Sequence, residues 1–158
     1  MELGSLKVGD LMTEPSIVSP LDSASKVIGL MEKIGAYEVF VPEQTRIGAV
    51  NIRELLKMRD PEMKVSSLSF HVPLLSRDAR VENAARLMSE HRIRTLPVGE
   101  NGDVSGQISA RSICDAILQS KNLKLRIAQV MTSHPTVIEN SDKIGKARRR
   151  SGCFEETC

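Results

Sequence analysis

The stretch IRTLPVGENGDVSGQISARSI, residues 93–113, decides how this chain folds. Two short apolar runs, Thr95–Val98 and Val104–Ile108, flank the segment Gly99–Asp103, which is rich in residues that tolerate a positive φ. This pattern predicts a β-hairpin. Ser109 follows the second strand at once, and apolar residues recur behind it at helical spacing, so we expect a helix capped by Ser109.

The junction between that strand and that helix is a candidate anion site. The first N–H groups of a helix have no partners within the helix, and the helix dipole places positive charge at the same end. Helix starts therefore bind anions, and phosphate is a common one. The sequence predicts a phosphate-binding site at Ser109.

An earlier copy of the pattern lies about 57 residues upstream, a length typical of one supersecondary repeat. Its predicted strands are Tyr37–Val41 and Ile47–Val50, and Asn51 opens the helix that follows. Each copy carries an arginine two places after the capping residue, Arg53 in the first and Arg111 in the second. The repetition predicts two related junctions in one molecule.

Arg53 and Arg111 are the most informative residues of these junctions. A cation in the first turn of a helix opposes the helix dipole, typically by a few tenths of a kcal/mol. Two interpretations stay open for such a cation. Either the guanidinium groups bind an anion such as a nucleotide phosphate, or each pairs with a neighbouring acid, as Arg53 could with Glu54.

A short strand and an apolar-striped helix precede each hairpin. In the first copy the strand is Ser16–Ser19, and the helix is capped by Asp22 and stops at Gly35. In the second copy the strand is Leu74–Ser76 and the cap is Asp78. Each copy is therefore expected to run strand, helix, strand, strand, helix.

These elements add up to an α/β fold of two βαββα repeats, residues 7–60 and 64–122. One unit of that size cannot bury both faces of its sheet, so we expect the repeats to pack sheet to sheet with pseudo-twofold symmetry. Residues 123–150 resemble a third start that stops before its hairpin. Residues 151–158 are expected to form a disordered tail.

Composition narrows the function classes. The chain has 158 residues, 41% of them hydrophobic, and a formal net charge of only +2, which gives no general attraction to nucleic acid or membrane. No apolar run approaches the roughly 20 residues of a membrane helix, and no signal peptide is recognised, so a cytoplasmic location is predicted. The basic run Lys143–Arg150 is interpreted as a solvated helix face rather than a nucleic-acid contact.

The three cysteines do not form a disulfide or zinc framework. Cys114 is expected to be a small core residue, and Cys153 and Cys158 lie in the polar tail. No nucleophile lies beside a base and no P-loop is found, so we expect neither an enzyme nor a bound metal.

The chain resembles a tandem pair of cystathionine β-synthase (CBS) domains, a Bateman module. The resemblance covers Lys7 to Leu118. Its markers are Leu11-Met12-Thr13, the segment His91–Val98 and a junction in which a Gly precedes an apolar residue and a capping residue, repeated in order at a fixed offset.

The resemblance implies a regulatory module that binds adenine nucleotides or S-adenosyl compounds. In the family, the Thr or Ser and the Asp of the junction hold the phosphate and the ribose hydroxyls. The matching positions here are Ser109 and Ser112 in the second repeat, and Asn51 and Glu54 in the first. Neither copy carries the Asp, and serine is a weaker ribose partner than a carboxylate.

The resemblance also implies a second anchor at the entrance of the second hairpin, where the family's basic residues reach the phosphates. We expect Arg94 with Thr95 to take that role. Tyr37, the counterpart of Arg94, either stacks on an adenine or packs on a neighbour. Four more residues offer edges to a base, or equally to a core: Ser16, Ile17, Val72 and Pro73.

The predicted function is therefore ligand sensing. AMP, ADP, ATP or an S-adenosyl compound would bind in the cleft between the repeats, and an unidentified regulated protein would respond. The resemblance implies a homodimer. The alternative is a dimerisation scaffold whose nucleotide sites have decayed, which the missing Asp favours.

Overall fold

The computed structural model of the chain describes residues 5–44, 46–119 and 126–150. Two units can be distinguished, Met1–Asn122 and Leu123–Cys158. Within the described ranges, no helix has both the length and the apolar character of a membrane span.

Both predicted hairpins are confirmed, because β1 pairs antiparallel with β2, and β4 with β5. The elements of the first unit are α1 (Val8–Leu11), α2 (Ala24–Ile34), β1 (Glu38–Pro42), β2 (Ile47–Asn51), α3 (Ile52–Lys57), a 3₁₀ turn (Val65–Ser67), β3 (Phe70–His71), α4 (Val81–His91), β4 (Thr95–Glu100), β5 (Asp103–Ser109) and α5 (Ala110–Gln119). The second unit contains α6 (Ile127–Val130) and α7 (Ile144–Arg150).

The turn between β4 and β5 is tighter than the sequence predicts. Only Asn101 and Gly102 lie between the strands, and both have a positive φ, which suits the twist of paired strands. A bulge lies between Val98 and Gly99. A Cβ at Gly99 would collide with the carbonyl group of Asp103, so this position requires glycine.

The segments predicted as first strands, residues 16–19 and 74–76, are shorter than expected. Each forms one parallel bridge: Ile17 to Phe40, and Leu75 to Val98. Proline explains the difference, since Pro20 and Pro73 border these segments and lack the N–H that a longer ladder needs.

The first residues of each repeat pair with a strand of the other repeat. Thr13 and Gln107 exchange two backbone hydrogen bonds of 2.8 and 2.9 Å, which joins the start of the chain to β5. In the same way, β3 pairs with β2 through His71 opposite Gly48. The two repeats are thus interlocked along the chain, which the sequence does not predict.

Strand β1 is buried on both faces, with Val39 and Val41 on one side and Phe40 on the other. Phe40 belongs to a buried cluster that also contains Leu96 and Ile108 of the second hairpin. One apolar cluster is therefore shared by the two hairpins. The other cluster consists of Val18, Ala24, Val27, Met31, Val39, Val41, Val50, Leu55 and Val65.

Two predicted helix caps are wrong. Ser23, not Asp22, caps α2 by accepting the N–H of Lys26, while the Asp22 carboxylate binds the Lys26 ammonium at 2.6 Å. Helix α4 begins after Arg80 without a side-chain cap, and Asp78 lies outside the cap position. The predicted stop at Gly35 is confirmed, because this residue has a φ of 64° and ends α2.

The prediction that Cys114 lies in the core is also wrong, because the thiol is exposed. Ile113 and Ala116 carry the buried face of α5, and Cys114 is turned about 100° away from Ile113. Cys153 and Cys158 lie outside the described residues. Within the described part of the chain, no group of three metal-ligating side chains is found.

The second unit reproduces local contacts of the first. The Asp142 carboxylate accepts the Glu139 N–H at 3.0 Å and the Lys146 ammonium at 2.6 Å. Asp22 does the same in the first unit, with the N–H of Ser19 at 3.0 Å and the ammonium of Lys26 at 2.6 Å. The third repeat start itself stays a prediction.

Candidate functional site

A cavity of about 690 Å³ lies in the first unit, and both hairpins contribute to its walls. Seven predicted site residues line it: Ser16, Ile17, Tyr37, Arg94, Thr95, Ser109 and Arg111. The structure thus gathers residues that are up to about 95 positions apart in the sequence.

The junction at Ser109 has the predicted capping geometry. The Ser109 hydroxyl oxygen accepts the N–H of Ser112 at 3.1 Å, and the Ser112 hydroxyl donates to the Ser109 carbonyl at 2.8 Å. Ser112 does not line the cavity. It holds the start of α5 in place, which leaves Arg111 as the exposed charged group of this junction.

The junction at Asn51 is similar but smaller. The Asn51 side chain accepts the N–H of Glu54 at 2.9 Å and caps α3. A cavity of about 170 Å³ lies beside it and is lined by Arg53 and Arg92 among others. The Glu54 carboxylate binds the Lys57 ammonium at 3.2 Å and lies outside both cavities.

The two junction arginines, Arg53 and Arg111, have no acidic partner among the described residues. Glu54, the expected partner of Arg53, binds Lys57 instead. The interpretation that each arginine is neutralised by a neighbouring acid is therefore wrong, and both guanidinium groups are available to an anion.

Val72 and Pro73 lie outside both cavities. Val72 is fully buried in the cluster shared by the hairpins, and its N–H donates to the carbonyl of Ile47 at 3.1 Å. The interpretation of this pair as part of the core, which the sequence left open, fits the structure best.

Glu38 is the site residue that the sequence analysis misses. The residue is 5% exposed. One carboxylate oxygen accepts the backbone N–H of Arg94 at 3.2 Å, and the other accepts the hydroxyl of Thr95 at 3.1 Å. Burial raises the pKa of the Glu38 carboxyl, although both hydrogen bonds oppose the shift. A charged residue among the apolar residues of Tyr37–Val41 was the available signal.

Three residues belong to the walls of both cavities: Tyr37, Glu38 and Arg94. The Arg94 guanidinium lies 4.8 Å from the centroid of the Tyr37 ring, within the range of a cation–π contact. Tyr37 is half exposed, so a flat ligand can reach its ring. These residues form a partition between the two cavities.

Substitution of Glu38 tests the effect of its burial. Because the folded state holds the proton more tightly than the unfolded state, the free energy of unfolding falls as pH rises through the raised pKa. Glutamine cannot ionise, so we expect the free energy of unfolding of Glu38→Gln, relative to that of the parent, to be larger at pH 8 than at pH 4. Urea unfolding at both pH values measures the gain, and the exposed Glu100→Gln is the control. An equal difference at both pH values would contradict the expectation.

Residues 65–119 match the family model of the CBS domain. This segment is similar to a CBS domain. The match falls on the second repeat, from the 3₁₀ turn to the end of α5, and includes Ser109, Arg111 and Arg94. The α/β architecture with antiparallel hairpins agrees with the solved CBS-domain structures described next.

Three relatives show the extent of the similarity. An uncharacterised protein of Methanocaldococcus jannaschii is 27% identical over 148 residues, which cover 89% of this chain and 35% of that protein. A CBS domain protein from Pyrobaculum aerophilum, complexed with AMP, has a TM-score of 0.65 at 20% identity, over 73% of this chain and 97% of that one. CBSX2, also in complex with AMP, has a TM-score of 0.62 at 26% identity, over 73% and 98%.

The chain spans about a third of the length of the curated relative that it matches. The likeness to the Pyrobaculum aerophilum protein shows a shared fold and no more.

Proposed function

We propose that this chain is a regulatory module that senses an adenine nucleotide in the larger cavity. One observation carries the proposal: Arg111 lines the cavity in the first turn of α5, beside the Ser109 cap, and no acid of the described residues neutralises it. A phosphate group at this helix start would gain from the charge of Arg111 and from the helix dipole together.

The size of the cavity supports a nucleotide. A volume of about 690 Å³ lies within the range of about 300 to 1,000 Å³ typical of small-molecule sites. The Tyr37 ring and Ile17 offer an apolar surface for a base, and the Arg94 guanidinium offers donors. Two of the similar structures were solved in complex with AMP, which favours AMP as the first ligand to test.

The Asn51 junction is proposed as the weaker site. Its cavity of about 170 Å³ is below the usual size for small-molecule binding, and α3 has only six residues. Arg53 is the group that would hold a phosphate there, while Glu54 is engaged with Lys57.

The second candidate function is a dimerisation scaffold. Helices α2 and α3 expose large apolar side chains, Ile28, Ile52 and Leu56, beside an apolar groove of about 350 Å³. A homodimer would cover such a surface. The scaffold would form this dimer without responding to nucleotides. Whichever function holds, the cytoplasmic location of the protein stays a prediction.

Calorimetric titration of the chain with AMP, ATP and S-adenosylmethionine tests the proposal. We expect AMP to bind at one site with a measurable heat and to raise the melting temperature, because a ligand that binds only the folded state stabilises it. No heat and no thermal shift with any of the three would remove the sensor and leave the scaffold. Light scattering with and without AMP then measures the oligomeric state.

A further inference from the structure

Glu38 is the one buried acid among the described residues, and it lies in the wall of the cavity. A carboxylate has about four acceptor positions on its two oxygens. Arg94 and Thr95 occupy one position on each oxygen. Each oxygen therefore keeps the capacity to accept one more hydrogen bond.

The negative charge and the remaining acceptor positions of Glu38 determine which part of a ligand it can bind. A buried carboxylate repels a phosphate, so the phosphate belongs at the Arg111 end of the cavity and not at Glu38. Two adjacent hydroxyl groups suit it well, because each can donate to one oxygen in a charge-assisted hydrogen bond. The 2′ and 3′ hydroxyls of a ribose form such a vicinal diol.

No other acid of the described residues is as well placed. Glu54, at the junction position that the family resemblance associates with ribose, lies outside the cavity, and the second repeat has the neutral Ser112 at that position. Glu14 lines the cavity, but its side chain is exposed to solvent. Glu38 is the one that the structure holds rigidly, by hydrogen bonds from the other hairpin.

We propose that Glu38 binds the vicinal diol of the ligand's ribose, so that this site distinguishes ribonucleotides from deoxyribonucleotides. The inference rests on the proposed function, since it assumes that a nucleotide enters the larger cavity. It assigns the sugar contact to the first strand of the first hairpin, beside Thr95, which is paired with Ser109 in the second hairpin. The ligand would then connect the two repeats.

Competition between AMP analogues tests the assignment in the unmodified chain. We expect 2′-deoxy-AMP and 3′-deoxy-AMP each to bind about tenfold more weakly than AMP, since each leaves one oxygen of a buried carboxylate without its partner. Purine riboside monophosphate, which lacks the amino group of adenine but keeps the diol, should bind within about threefold of AMP.

The same series is measured on Glu38→Gln and on the matched control Glu100→Gln, whose side chain is exposed at the end of β4. In Glu38→Gln the preference for AMP over both deoxy analogues should shrink to about threefold or less, while Glu100→Gln keeps the full preference.

The outcomes separate the two proposals. If AMP does not bind at all, the proposed function fails. If AMP binds but the deoxy analogues bind equally well, or if Glu38→Gln keeps the full preference, the assignment of Glu38 fails and the sensor stands. Loss of affinity only with purine riboside monophosphate would instead place the adenine amino group at Glu38 and overturn the assignment. If Glu38→Gln does not fold, the analogue series on the unmodified chain still decides.

Discussion

Leu96→Ala is expected to lower the free energy of unfolding of the first unit by about 2–5 kcal/mol. Leu96 lies on β4 and is fully buried. It belongs to the apolar cluster that contains Phe40 of the first hairpin and Ile108 of the second. Removing its side chain takes away apolar contacts from both hairpins and leaves a cavity between them. Because the free energy of unfolding of a domain is about 5–15 kcal/mol, this single change removes a large part of the stability.

The matched control is Leu118→Ala, which makes the same substitution on α5 at a side chain that is 70% exposed. We expect a change within about 0.5 kcal/mol, since alanine favours the helix and little burial is lost. Urea unfolding followed by circular dichroism measures both variants, with the slope compared to confirm a common unfolded state. Equal losses in the two variants would contradict the idea that the shared cluster holds the hairpins together.

The parts of the fold that depend on neighbouring residues could be predicted from the sequence. The hairpin of residues 95–109 follows from two short apolar runs and from the turn-forming residues Gly99–Asp103 between them, and the stop of α2 follows from Gly35. The caps were harder, because Asp22 and Ser23 are adjacent and both suit an N-cap. The competing contact with Lys26 decides between them, and it becomes visible only in the structure.

Contacts between distant residues could not be predicted in the same way. The pairing of Thr13 with Gln107 joins segments that nothing in the local sequence connects. Glu38 shows the same limit at the site: a lone acid in an apolar strand indicates something unusual, but its partners Arg94 and Thr95 come from the other repeat. The repeat offset of about 57 residues makes Glu38 and Thr95 equivalent positions in the sequence. Only the fold shows that their side chains are in contact.

The partition of Tyr37, Glu38 and Arg94 explains how a ligand in this site would affect the whole unit. Tyr37 and Glu38 come from the first repeat and Arg94 from the second, where Arg94 is the counterpart of Tyr37. A nucleotide bound between them would contact both repeats and favour one arrangement of the pair. Regulation then requires only that a partner protein distinguishes this arrangement from the others.

Arg111→Ala is expected to weaken AMP binding by about 10- to 100-fold, the usual effect of losing hydrogen bonds to a charged group. The same variant should be as stable as the parent or slightly more stable, because Arg111 is exposed and its charge opposes the helix dipole. A loss of affinity without a loss of stability is the signature of a ligand contact. Titration calorimetry and thermal unfolding on the same samples measure the two quantities.

Two further arginine variants make the result specific. Arg86→Ala removes an exposed guanidinium on α4 that pairs with Glu90 outside both cavities, and it should leave AMP affinity unchanged. Arg53→Ala removes the equivalent arginine of the smaller junction. A loss confined to Arg111→Ala assigns AMP to the larger cavity, whereas a loss confined to Arg53→Ala assigns it to the smaller one and contradicts our proposal. If AMP binds all three variants like the parent, neither guanidinium holds the phosphate and the anion site at the helix start is wrong.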